Sequence, residues 1–308
     1  MSLKNARIVV LKGGPGSERE VSLKSAESVC EALRSLGAEV IEVDVTSAEV
    51  TLPEDVLIVV NMIHGTFGED GRLQAILEQL GVAYTGAGVT ASRVAFDKAQ
   101  SKEKFVAAGV PTPRSQILRL DGVDSLELSL PVVVKPICEG SSVGVHIVRT
   151  EAELAGALED AKRFGGTTLA EEFIEGKELT VGVIGELVLP VIHIEPVSGF
   201  YNINNKYPWM TGAGKTLYHC PAELDVLTTE KVQSAALAAM KAVGVEVYGR
   251  VDVMLRADGE PFVLEINTIP GMTVSSLLPK AAKASGMGFP QLVERIIELS
   301  LVAPRGCG

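Results

Sequence analysis

The stretch YGRVDVMLRADGEPFVLEINTIPGM, residues 248–272, carries polar groups at spacings that could do chemistry. If Asp258 and Gly259 form a two-residue turn, the favoured hairpin connection, then Pro261 opposes Arg256, Asp252 faces Glu265 and Arg250 faces Asn267. Pro261 would fall at a non-hydrogen-bonded pair, where its missing N–H costs nothing. Val251, Val253 and Leu255 are then expected on the opposite, apolar face with Phe262, Leu264 and Ile266. Two carboxylates opposed at about 4.5–5.5 Å between Cβ atoms repel, by roughly 3–4 kcal/mol at an effective dielectric near 20, so something positive should sit between them. Two carboxylates and an amide oxygen suit a hard cation, and Mg²⁺ in particular keeps positions open for phosphate oxygens. An arginine beside a phosphate-loaded ion can stabilise charge during transfer.

Two glycine-rich loops are candidates to meet those phosphates. In VVVKPICEGSSVGV, residues 132–145, a strand delivers Lys135 to a loop of glycines and serines rich in N–H and hydroxyl donors. It lacks the order of a P-loop and is specific only together with the acidic hairpin. The other loop, GGPGSEREVSL at residues 13–23, has Arg19 where a dinucleotide fingerprint needs its third glycine, and no Lys-Ser follows. It is therefore not a nucleotide cradle, and a nicotinamide-dependent dehydrogenase is set aside. Ser17 and Glu20 are expected to form a capping box instead, placing Glu18 in the first helical turn.

These groups must be positioned by a chain of 308 residues, enough for two or three domains. Up to about residue 90, the strands RIVVLK and DVLIVVN alternate with helical patterns carrying Ala26, Val29, Cys30, Leu33 and Leu36, then Leu73, Ile76, Leu77 and Leu80. That alternation predicts a parallel sheet with helices packed on it. From 91 to 176 a single helix over SRVAFDKAQSKEKFVAAG leads into an α+β unit, with a capping box at Thr150 and Glu153. From 177 to 308 come hairpins, the first joined near Gly185, and a polar stretch, YNINNKYPWMTGAGKTLYHC, too long for a turn and expected to be a lid.

Hydrophobic residues make up 46% and charged residues 22%, as in a soluble enzyme, and the net charge of −11 argues against a nucleic-acid partner. An acidic total still permits ATP, because a few lysines and a metal reverse the sign locally. Cys30, Cys138, Cys220 and Cys307 show no metal-binding spacing and are expected as reduced thiols of a cytoplasmic protein. The N-terminus lacks signal-peptide features, and no stretch approaches the roughly 20 apolar residues of a membrane span.

The ordered set GGPGSEREVSL, HGTFGEDGRLQ, YTGAGV, FDKAQSK, VVVKPICEGSSVGV, NNKY, YGRVDVML and LEINTIPGMTVSSLLP resembles the D-alanine:D-alanine ligases of the ATP-grasp superfamily across nearly the whole chain. The resemblance implies an ATP-grasp fold of α/β and α+β units, in which an N-terminal parallel-sheet domain precedes two subdomains that clamp ATP. It implies ATP-dependent joining of two D-alanines through an acyl phosphate for peptidoglycan, two Mg²⁺ ions that Mn²⁺ can replace, and a homodimer. Lys98, Lys135 and Lys206 would contact phosphates, Glu171, Glu172, Phe173 and Ile174 the adenine, and Glu178 the ribose. Asp252, Glu265 and Asn267 match the family's metal ligands. Glu18 would take the first D-alanine's ammonium and join Ser141 and Tyr207 in closing the site, with His64 nearby. Ser276 and Leu277 would hold the second carboxylate, and Arg250 with the Gly271 amide would hold the oxyanion. Gly16 stands where the family usually has serine, Glu172 where lysine is common, and the segment after Tyr207 is longer than usual. The alternatives are a ligase of the same fold taking D-lactate or D-serine second, and an inactive nucleotide-binding regulator.

Overall fold

The computed structural model describes residues 2–121, 125–197 and 216–304. Among them are thirteen strands in three sheets. The first sheet holds β1 (Arg7–Gly13), β2 (Glu39–Val45) and β3 (Ile58–Asn61), all parallel in the order β2-β1-β3. Its central strand is a continuous buried run from Ile8 to Leu11, as a strand covered on both faces must be. β2 escapes the sequence reading because its acidic residues, Glu39, Glu42 and Asp44, are spaced by three and then two, which leaves neither a long apolar run nor a strict alternation. The second sheet is antiparallel, with β4 (Ser115–Arg119), β5 (Val132–Lys135), β6 (His146–Val148) and β7 (Thr167–Glu172) in the order β4-β7-β5-β6. The third has β8 (Gly176–Ile184), β9 (Leu187–Val188), β10 (Ile192–Pro196), β11 (Thr216–His219), β12 (Tyr248–Arg256) and β13 (Pro261–Asn267). Its order is β11-β10-β8-β12-β13, with β9 beside β8.

Helices α1 (Arg19–Ser35) and α2 (Arg72–Gln79) cover the first sheet, with Leu80 just beyond α2 exposed rather than packed. The expected single helix near residues 92–109 is two, α3 (Val89–Phe96) and α4 (Lys98–Ala107). Asp97 breaks it by going extended, and its carboxylate accepts the Gln100 N–H at 3.0 Å as the cap of α4. Both helices share their buried face with the third sheet, through Ala91, Val94, Ala95 and Phe105 against Val251 and Val253. Helix α5 (Glu151–Ala161), with the Thr150–Glu153 capping box formed, covers the second sheet. Helices α6 (Val226–Val243), α7 (Leu277–Ala284) and α8 (Phe289–Val302) follow. α8 returns to α1 and β3, so Ile296 and Ile297 join the core of the first sheet.

The hairpin of β12 and β13 departs from the expected register. Its loop has three residues, Ala257 to Gly259, closed by the Arg256 N–H on the Glu260 carbonyl at 3.0 Å, with Gly259 in the left-handed region at φ +83°. Pro261 consequently faces Leu255, not Arg256. The register then shifts between Asp252 and Val253, with Leu264 the extra residue of a bulge, and Asp252 again faces Glu265 while Arg250 faces Asn267. Val263 therefore takes the apolar face beside Val253, while Leu264 turns to the opposite side, into the nucleotide-sized cavity described next.

Candidate active site

Residues 173–175 are the link between β7 and β8, so the second and third sheets face each other across it. The cleft between them is a cavity of about 820 Å³ lined by Lys98, Lys135, Phe173, Ile174, Glu178, Met254 and Leu264, with Asp252 and Glu265 at its inner end. The volume is within the range for a cofactor-sized ligand. Beyond it lies a cavity of about 310 Å³ lined by Glu18, His64, Ser141, Arg250, Asn267, Gly271, Ser276 and Leu277. The two share Lys98, Glu139 and Glu265, so groups held in one can react with groups held in the other. Lys206 and Tyr207 lie outside the described residues.

The hairpin carboxylates are neutralised by cations of the chain. Arg250 donates to both oxygens of Asp252 at 3.0 and 2.9 Å, Thr180 Oγ1 donates at 2.6 Å and Asn267 Nδ2 at 3.1 Å. Lys98 Nζ sits 3.3 Å from Glu265 Oε2 and donates to the Glu139 carbonyl at 2.5 Å. The expected positive charge is thus present as Arg250 and Lys98. Two carboxylates and an amide on one hairpin face are a hard-oxygen set that fits Mg²⁺, with the open side toward the cavity where phosphates would enter.

Lys135 is tied to the buried Glu171 at 2.7 Å, and Lys102 reaches the same carboxylate at 3.0 Å. Burial alone would raise Glu171, but Lys135 and Lys102 hold its carboxyl below the usual range. Burial pushes Lys102 down to about 8 despite Glu171's opposing charge. Lys102 also donates to Thr112 Oγ1 at 2.7 Å, and Thr112 donates to the Val263 carbonyl at 2.7 Å, joining the Glu171 end of β7 to the bulged strand. Lys102→Met should lower the unfolding free energy by about 3 kcal/mol, because Thr112 loses its donor and Glu171 half of its charge partners; urea denaturation measures it. Glu172 also lines the large cavity, and its carboxylate pairs with Arg114 at 2.9 Å.

At the other cavity, the expected capping box of Ser17 and Glu20 does not form. Helix α1 begins at Arg19 with Glu18 itself at the N-cap, and no side chain caps it. Glu18 turns away instead and accepts the Ser141 hydroxyl. Gly65 and Gly140 make room: a Cβ on them would come within 2.5 and 3.0 Å of Glu18 Oε2. Ser141 and Ser142 both sit in the left-handed region, at φ +52° and +58°, a strained loop of the kind found where geometry serves a ligand.

His64 is buried, and burial lowers its pKa, so the imidazole is neutral. Its Nδ1–H donates to the Ile269 carbonyl at 2.7 Å, and Ser25 donates to Nε2 at 3.1 Å while accepting the Met272 N–H at 3.2 Å. His64 and Ser25 thereby fix the backbone on both sides of Gly271. Ser276 is the N-cap residue of α7, and it lines the cavity with Leu277 and Lys280, so the helix start there is suited to a carboxylate.

Glu69, Lys102 and Lys280 belong to this architecture but are not singled out by sequence reasoning. Lys102 follows Lys98, and Lys280 follows Ser276, by one helical turn, which was the available signal. Glu69 is buried; burial and then the nearby charge of Glu18 push its carboxyl up to about 8. The folded chain therefore holds a proton that the unfolded chain releases near 4.5, and the stability associated with Glu69 falls as pH rises from about 4.5 to 8. Glu69→Gln keeps an acceptor for the Gly65 N–H, which donates to Oε1 at 2.8 Å. Its melting temperature should gain on the native protein between about pH 5 and 8; a constant difference across that range contradicts the assignment.

An antiparallel four-stranded sheet facing a larger sheet across a nucleotide-sized cavity, with lysines on one side and paired carboxylates on the other, defines an ATP-grasp enzyme. The profile described as D-ala D-ala ligase C-terminus matches residues 114–298. A D-alanine--D-alanine ligase of Methylacidiphilum infernorum is 47% identical over 293 residues, covering 95% of both chains. The solved D-alanine--D-alanine ligase of Bacillus anthracis complexed with ATP superposes with a TM-score of 0.82 at 32% identity, over 96% of this chain and 97% of its own. The VanG D-Ala:D-Ser ligase of Enterococcus faecalis superposes with a TM-score of 0.84 at 28% identity, over 96% of this chain and 100% of its own. The chain belongs to the D-alanine–D-alanine ligase family.

Proposed function

We infer that the chain joins two D-alanine molecules at the expense of ATP. The observation that carries this is the meeting of the two cavities at Lys98, Glu139 and Glu265. A nucleotide in the larger cavity presents its terminal phosphate to an amino acid in the smaller one.

Glu18, oriented by Ser141, receives the ammonium of the first D-alanine, leaving its carboxylate directed at the terminal phosphorus. A carboxylate oxygen attacks that phosphorus, the bond to the β-phosphate oxygen breaks, and an acyl phosphate and ADP result. Lys98 and Lys135 balance the moving charge, exchanging Glu265 and Glu171 for phosphate oxygens. The second D-alanine, its carboxylate at Ser276, Leu277 and the start of α7, attacks the acyl carbon with its neutral amine. The tetrahedral oxyanion is met by Arg250 and the Gly271 N–H, the latter held in place by the bonds of His64 and Ser25 on either side. Collapse breaks the bond from the acyl carbon to the phosphate oxygen, and the departing phosphate takes the amine's surplus proton as the amide forms. Magnesium held by Asp252, Glu265 and Asn267 would supply Lewis-acid polarisation of the phosphates.

The test is phosphate release from ATP and Mg²⁺ with D-alanine, L-alanine or no amino acid, the product identified by mass. Release that requires D-alanine and yields the dipeptide is expected; ATP binding without release would favour a regulator. D-serine and D-lactate as competing acceptors decide the second substrate. Glu18→Gln should raise KM for the first D-alanine at least about tenfold by losing a charge-assisted contact, with ATP binding little changed.

A further inference from the structure

The edge of the third sheet carries a group of side chains that ligation of the two amino acids does not use. In the antiparallel pair of β10 and β11, His193 stands directly opposite His219, and Glu195 follows His193 by two residues on the same face. The imidazoles stack with centroids 5.4 Å apart, and His219 Nε2 lies 2.8 Å from Glu195 Oε2. One ligand atom from each of the three residues falls within 4.8 Å of the others, and among the described residues no other trio of His, Cys, Asp or Glu is so arranged. A tetrahedral ion with bonds near 2.1 Å needs its ligand atoms about 3.4 Å apart, so the three side chains would draw together on binding. The lone carboxylate also sets the class of metal: two imidazoles favour zinc, nickel or cobalt over magnesium.

We propose that His193, Glu195 and His219 bind one transition-metal ion of the zinc class at the rim of the nucleotide cavity, separate from the hairpin carboxylates. The remaining coordination position is left for water or a further donor. His193 and Glu195 line the nucleotide cavity, so the ion would stand beside a bound nucleotide. It would also join the two strands that flank residues 197–215, the stretch containing Lys206 and Tyr207.

The experiment titrates Zn²⁺ into the full chain, stripped with EDTA and desalted, in competition with a chromophoric chelator. One tight equivalent is expected for the native protein, and at least about tenfold weaker binding for His219→Ala and for Glu195→Gln. Failure of the native chain to compete, or equal affinity in both variants, overturns the site. Cobalt(II) supplies an independent readout: ligand-field absorption without a thiolate charge-transfer band is expected, and a thiolate band would move the ion to a cysteine and overturn the proposal. His219 lines neither cavity, so His219→Ala should keep the phosphate-release rate measured without zinc.

Discussion

Asp252→Asn should lower turnover at least about 10³-fold while leaving the chain folded. Asp252 is 6% exposed and receives four donors, from Arg250, Thr180 and Asn267. Asparagine keeps the shape and some of these bonds but removes the charge that would hold a divalent ion and that orients Arg250. Asp252→Ala should be as inactive and less stable by about 3 kcal/mol, because the half-buried guanidinium loses its partner. Glu265→Ala should be similarly inactive through the opposed carboxylate. Single-turnover phosphate release at saturating ATP and D-alanine checks all three, and native rates in either position's variants would refute the metal assignment.

Arg250→Lys should cost about 10²–10³ in kcat with KM for the second D-alanine nearly unchanged. Lysine retains the positive charge but not the planar fork that grips both oxygens of Asp252 at 3.0 and 2.9 Å. A single ammonium cannot hold that grip and reach the oxyanion beside the Gly271 amide. Steady-state kinetics separate the cases: a loss confined to KM would make Arg250 a substrate clamp, and a variant keeping more than about a tenth of native kcat would remove it from the oxyanion site.

Much of the site was legible because strand alternation and opposed carboxylates carry their own physics. The pairing of Asp252 with Glu265 was reached from a two-residue turn that does not form: the three-residue loop moves the register by one and the bulge at Leu264 moves it back. Glu18 was placed at the right helix for an incomplete reason: a Ser-x-x-Glu pattern suits a capping box, but Glu18 is drawn off by Ser141, a residue remote in sequence whose backbone conformation only the fold determines. Asp97 shows the reverse case, where a local cap overrides continuous helical periodicity. Lys102 was signalled only by its spacing from Lys98, and Glu69 and the His64–Ser25–Met272 connection were not legible, since each depends on contact with a segment far along the chain. His193 and His219 become partners only through the pairing of β10 and β11.

The extra residue at Leu264 also makes the hairpin tolerant of revision. The tip at residues 257–259 runs in one register and the Arg250–Asp252 half in another, with the bulge as the joint between them. Slippage at the tip can be absorbed at that joint before it turns Asp252 or Glu265 to the wrong face. The outer hairpin is thus insulated from the chemistry, and a short peptide inserted beside Asp258 should leave turnover intact where the same insertion beside Leu264 abolishes it.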